Sequence, residues 1–289
     1  MTPSKWIIAI GAIIEAMLLG LFVDLSINNR QQEITIQQTP EVPQSQAFAQ
    51  NQQPTPEALE GALYGLPVIL NGDQGQIITR DGYTLSYNES RRIPNWVSYE
   101  LTAQETVGKV PREKNFYQDP EVKGNQATLQ DYKYYGWDRG HMAPAGDMKW
   151  SETAMYESCY LSNICPQNPD LNGGSWRILE EKCRDLAKDY SSVNIVCGSI
   201  IEDGRFGTIG ETNVVVPDAF FKVLLVKQGD KYESIGFYFK NEPASKSLRT
   251  YSCSVDEIEN KAGIDFFSNL SDEIEDPLES RFSTIFWGI

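Results

Sequence analysis

The chain contains one histidine, His141, in 289 residues, which excludes any metal site or proton relay built on two imidazoles. Its five cysteines (Cys159, Cys165, Cys183, Cys197 and Cys253) never stand at Cys-x2-4-Cys spacing, so a zinc finger or ribbon is excluded too. An odd number of thiols cannot all pair within one molecule, and the spacing does not say which pair, if any. Basic residues are in deficit: 25 Lys and Arg stand against 40 Asp and Glu, a formal charge of −15. That sign is wrong for gathering polyanions by bulk attraction, so any polyanion site must be local. There is no internal repeat, and no two carboxylates occur at a spacing that would mark a glycosidase. Gly204, Gly207 and Gly210 lack the lysine of a phosphate-cradling loop and read as turns.

What is present suffices for a packed core: 40% of residues are hydrophobic and 11% aromatic. Trp6 to Val23 is an 18-residue apolar run broken only by Glu15, about the minimum for a membrane-spanning helix. Lys5 precedes it and Asp24 follows, which leaves the amino end cytoplasmic and sends the rest outward. The preferred reading is an uncleaved single-pass anchor over residues 1–28 in the cell membrane. A cleaved signal with secretion is the rival, although Ala47-Phe48-Ala49 lies far downstream for a cleavage site. Gln31 to Pro56 holds nine glutamines and four prolines and few apolar residues, so residues 29–58 read as a disordered tether. Residues 59–289 then form one folded domain.

Within that domain, short β-rich runs (Leu66–Leu70, Gln76–Thr79, Tyr83–Tyr87, Trp96–Thr102) are separated by Asn-Gly, Asp-Gly and Asn-rich turns. Trp176, Leu179, Cys183, Leu186, Ala187 and Tyr190 recur at three- and four-residue steps, the signature of a helix burying one stripe. Strands follow at Val193–Cys197, Asn213–Val216, Phe220–Val226 and Ser234–Phe239, then a short helix over Val255–Lys261 capped by Ser254. Strands on both sides of a central helix imply a mixed α+β architecture. Charge is segregated along the chain: Ser252 to Ser280 carries nine acidic residues against Lys261 and reads as a solvated face. Arg112, Lys114, Lys123, Lys133, Arg139 and Lys149 cluster centrally and permit a basic cleft on an acidic body.

Chemistry concentrates in two motifs. His141 ends Trp137-Asp138-Arg139-Gly140-His141, directly after the aromatic, strand-like run Tyr132–Trp137. Imidazole is suited to take a proton near neutral pH, Arg139 can offer a guanidinium to phosphate, Gly140 allows close backbone approach, and Asp138 can orient neighbours. Downstream, a polar segment delivers Asn172 just ahead of the amphipathic helix that carries Glu180. An asparagine oxygen is a hard ligand for Mg²⁺, while helix capping is the alternative role for Asn172. Glu180 could hold a metal-bound water or help protonate a leaving group.

Together these residues resemble the DNA/RNA non-specific endonuclease family, the sugar-non-specific nucleases of ββα-metal fold that include endonuclease G. The resemblance spans most of residues 95–270. It rests on Asp138-Arg139-Gly140-His141 followed by Met142-Ala143-Pro144-Ala145-Gly146-Asp147, and on Asn163, Pro166-Gln167, Leu171-Asn172, Trp176 and Leu179-Glu180 in that order. It implies a mixed antiparallel sheet core with a ββα-metal module. It also implies His141 as general base and Asn172 as the only direct protein ligand of a hydrated Mg²⁺, with Mn²⁺ as a substitute. Arg139 would orient the site, Glu180 would act from behind the ligand, and Arg112, within a looser motif, would stabilise charge on the phosphate. The implied substrates are DNA and RNA held by phosphate, and the products carry 5′-phosphates. The competing reading is an inactive module that only binds nucleic acid or a protein partner.

Overall fold

The computed structural model describes residues 64–244 and 247–289. The expected anchor over residues 6–23 and the tether over 29–58 lie outside the described residues; among those described, no helix is long and apolar enough to cross a membrane. Thirteen strands are present among the described residues: β1 (Val68–Ile69), β2 (Gln76–Thr79), β3 (Thr84–Asn88), β4 (Ile93–Thr102), β5 (Asp138–His141), β6 (Ile164–Gln167), β7 (Ser192–Ile200), β8 (Thr208–Ile209), β9 (Val214–Val215), β10 (Ala219–Gln228), β11 (Lys231–Lys240), β12 (Ser252–Cys253) and β13 (Ile264–Asp265). The helices of seven residues or more are α1 (Glu152–Ser158), α2 (Arg177–Tyr190), α3 (Val255–Ala262) and α4 (Asp272–Glu279), and a short helical turn, Pro169–Leu171, leads toward α2. Seven strands form an antiparallel sheet in the order β12-β11-β10-β7-β4-β3-β2, while β5 and β6 make a separate hairpin.

The central strands are buried on both faces because their sequences leave no polar alternation. In β10, Phe220, Leu224 and Val226 enter one core and Ala219, Phe221, Val223 and Leu225 the other. The first core packs under α2, whose Leu179, Cys183 and Leu186 form the expected buried stripe. Each buried leucine there contributes about 1.5–3 kcal/mol. The second core packs under α3 and α4 through Val255, Ile258 and Leu278. Ser254 caps α3 as expected, its hydroxyl accepting from the Glu257 amide at 3.2 Å.

One reading needs correction. Tyr132–Trp137 is a turn rather than a strand: Tyr134 and Gly136 have φ of 68° and 77°, and Tyr134 is fully exposed. The acidic carboxyl-terminal segment is mostly the solvated face that was expected, with Glu257, Asp272, Glu273 and Asp276 exposed; Glu279 on α4 is the exception, its side chain buried. The cysteines are all buried and unpaired.

Candidate active site

The β5–β6 hairpin places the first motif. His141 pairs with Ile164 and Asp138 with Gln167 across it. A Cβ on Gly140 would lie 2.3 Å from Gln167 Oε1, so only glycine allows the two strands to close at that point. Beyond His141 the chain is pinned by Asn163, whose Nδ2 donates to the Ala143 and Ser158 carbonyls at 2.8 Å and whose Oδ1 accepts from the Ala143 amide at 2.9 Å. Trp176, packed at steep ring angles against Phe220 and Phe239, donates its indole N–H to the His141 carbonyl at 3.3 Å. The helix start and the strand end are thereby joined.

Asn172 does not cap the amino end of a helix. That role falls to Asn168, whose side-chain oxygen accepts from the Asp170 and Leu171 amides, with Pro169 in the first turn. Asn172 is already helical, with φ −57° and ψ −50°, and sits in one wide turn that kinks at Gly174 before α2 begins. Its Nδ2 donates to Asp138 Oδ2 at 2.9 Å. This bond fixes the amide orientation and leaves Oδ1, the hard oxygen, for a cation. The donor set therefore fits a hydrated Mg²⁺ or Mn²⁺, one neutral oxygen being backed by nearby carboxylates.

All five residues singled out from sequence, Arg112, Arg139, His141, Asn172 and Glu180, line one cleft of about 680 Å³. Lys114 and Lys149 line it too, as does a pair that the sequence reading missed, Arg177 and Arg184. These stand three residues before and four after Glu180 on the exposed side of α2, a spacing that could have identified them. Lys123 and Lys133 do not contribute; Lys133 lines a separate hollow with Tyr134 and Tyr135. The cleft thus gathers six basic residues against Glu113, Asp138, Glu180 and Glu181, a local positive excess on a chain of charge −15.

His141 is 7% exposed, and its ring packs against Phe116 at 5.3 Å between centroids. The Arg139 guanidinium lies 4.6 Å over the other partner of that contact, the Phe116 ring, which holds it beside the imidazole. Burial, then the positive charges of Arg112 and Arg139, push the imidazole down to about 3, so it is neutral at pH 7 and able to accept a proton. Cys159, which no sequence signal marked, brings its Sγ to 3.9 Å from His141 Nε2. Burial raises the Glu180 carboxyl to about 7 against the opposing charge of Lys222, which is buried below it with its ammonium 4.5 Å from the Trp176 ring centre. Arg184 crosses from α2 to Asp147 at 2.7 Å, and Tyr99 donates to the same carboxylate at 2.9 Å. Arg112 is exposed and makes no ion pair among the described residues, so its charge is open to a ligand.

The sequence model of a family described as DNA/RNA non-specific endonuclease matches residues 66–273. The chain is 37% identical over 223 residues to the mitochondrial nuclease EXOG of Xenopus laevis, covering 72% of this chain and 61% of that protein. It is 33% identical over 225 residues to human mitochondrial endonuclease G, covering 73% of this chain and 74% of the relative. Its fold is similar to that in a solved structure of the EndoG/EndoGI complex, with a TM-score of 0.67 and 28% identity over 78% of this chain and 96% of the other. The matched region spans about three fifths of the length of the EXOG relatives.

Proposed function

Since the chain belongs to the DNA/RNA non-specific endonuclease family, we propose that it hydrolyses phosphodiester bonds of DNA and RNA in a metal-dependent reaction that leaves 5′-phosphates. The observation that carries this reading is the placement of His141 and the Asp138-oriented Asn172 on one basic cleft. Asn172 Oδ1 would hold the cation directly, with Glu180 and Asp138 behind it. When bound, a hydrated Mg²⁺ or Mn²⁺ would neutralise phosphate charge and stabilise the departing oxygen.

The chain's own residues supply the remaining chemistry. Arg112 and Arg139 draw a phosphate into the cleft, and its negative charge offsets theirs, so the imidazole becomes more basic as substrate arrives. His141 then takes a proton from the attacking water. Arg112, having no competing carboxylate, stabilises the charge that builds on phosphorus. Contacts of this kind reach phosphate rather than base edges, which accounts for cleavage with little sequence preference.

The test is nicking of supercoiled plasmid and degradation of RNA, with and without EDTA, by the parent and by Asn172→Ala. Cleavage of both substrates that EDTA abolishes and that Asn172→Ala loses supports the reading. Binding without cleavage under a full metal series would replace it with an inactive binding module.

A further inference from the structure

A second group of ligand-bearing side chains lies across the sheet from the cleft. Asp256 and Glu259 stand three residues apart on α3, hence on one face, and α4 brings Glu279 against them. Ligand oxygens from these three residues all lie within 4.8 Å of one another. The docking is set by the fold: the Leu278 carbonyl accepts from Ser234 Oγ at 2.8 Å, and Glu259 Oε1 accepts from the Phe266 amide at 2.9 Å. Acidic clusters on a surface are common, but this one has a member removed from solvent. Glu279 is only 5% exposed, and its Oε1 has no hydrogen-bond partner. Glu275, one helical turn earlier, has a buried Oε1 in the same condition. A buried carboxylate oxygen without a donor is destabilising unless a proton or a cation satisfies it.

The neighbours offer no cation. The charged groups acting on Glu279 are Glu259 and Asp256 from α3, Asp265 from β13 and Glu275 from α4, all acidic. The nearest element's lysine, Lys261, is turned to Tyr238 and Glu257. Burial and these like charges push Glu279 up to about 9, and burial with Asp265, Glu259, Asp272 and Asp276 pushes Glu275 to about 7, which is what carboxyls do when no positive partner is supplied.

We propose that Asp256, Glu259 and Glu279 form a binding site for a hard divalent cation of the Ca²⁺ type, which ties α4 to α3. Oxygens facing each other across Ca²⁺ are separated by roughly 5 Å, since each sits at about 2.3–2.6 Å, whereas Mg²⁺ needs a tighter octahedron at about 2.0–2.1 Å. The oxygens, all within 4.8 Å of one another, are near enough to share one ion, and an all-carboxylate protein set suits Ca²⁺, since Mg²⁺ usually keeps several waters. Glu275 and Asp265 are close enough to add charge, and water completes the shell. The site shares no residue with the cleft, and its existence does not depend on the nuclease reading.

Thermal melting of the full chain at pH 8, with CaCl₂ raised to about 5 mM in the range of weak extracellular sites, tests the proposal. At ten times Kd the parent and Asn172→Ala should both melt about 3 °C higher, because Asn172 lies in the other site. Glu279→Gln and Asp256→Asn should lose most of that rise while nicking plasmid at the parent rate in Mg²⁺. Without calcium, Glu279→Gln should melt no lower than the parent, since it removes a buried carboxyl that must take up a proton on folding, and this shows that it folds. An equal calcium shift in Glu279→Gln and the parent, or no shift in the parent, overturns the proposal.

Discussion

The two faces of the sheet place charge in opposite ways. Under α2, six basic residues converge on a cleft whose few carboxylates are engaged or buried; under α3 and α4, carboxylates converge with no basic residue among the groups acting on Glu279. Both arrangements leave local charge unbalanced, and both oppose what the other side of the molecule would suggest. The net charge of −15 is therefore uninformative about either site. On the proposed readings, an anion completes the first region and a cation the second. What distinguishes them is the support behind the charged groups. Asn172 donates to the Asp138 carboxylate and the His141 carbonyl accepts from Trp176, whereas Glu279 Oε1 has no hydrogen-bond partner.

The contrast can be broken from either side. Beyond removal of the base or of the Asn172 ligand, the largest effect is expected from Arg112→Ala, which should slow cleavage by about 10²-fold with little change in melting temperature, because an exposed guanidinium supports charge in the transition state and not the fold. If the rate is unchanged, Lys114 is the next candidate for that role. Asp138→Ala should raise the metal concentration needed for half-maximal rate by about 10–100-fold, since Asn172 would lose the partner that orients its amide; an unaltered metal titration would show that this hydrogen bond does not matter. The smallest effect concerns stability and pH. Glu279, Glu275 and Glu259 have folded values of about 9, 7 and 7, above the ordinary 4.5, so the folded state holds extra protons between those limits. Their contribution is fully present below pH 4.5 and is lost as pH rises through 7 and 9. Without calcium, melting temperature should fall from pH 5 to pH 9, and Glu279→Gln should flatten that slope; a parent curve that is flat over this range would contradict the assignment.

Sequence periodicity located most elements because most were strongly patterned. The strand Gln76–Thr79 coincides with its expected limits, and α2 begins one residue after the expected Trp176. The site was legible for a different reason: a lone histidine and an asparagine gained meaning only from the order of the residues around them. Several features had no local signal. Asn168 and Asn172 are both asparagines ahead of one helix, and only the backbone shows that the first caps while the second projects into the cleft. Tyr132–Trp137 has strand composition, yet a positive φ at Tyr134 turns the chain there. The sequence reading placed no helix at α4, whose second turn contains Pro277, a residue that gives up a helical N–H. Cys159 approaches His141 only through tertiary packing of α1, and the convergence of Glu279 with Asp256 likewise depends on how two helices dock.

The central claim is that a neutral imidazole at position 141 takes the proton from water in the cleft. Its most direct test is the initial rate of plasmid nicking by His141→Ala at saturating Mg²⁺, with melting temperature measured on the same sample. A loss of about 10²–10⁴-fold in a normally folded variant is the predicted result. A rate within a few-fold of the parent would contradict the account.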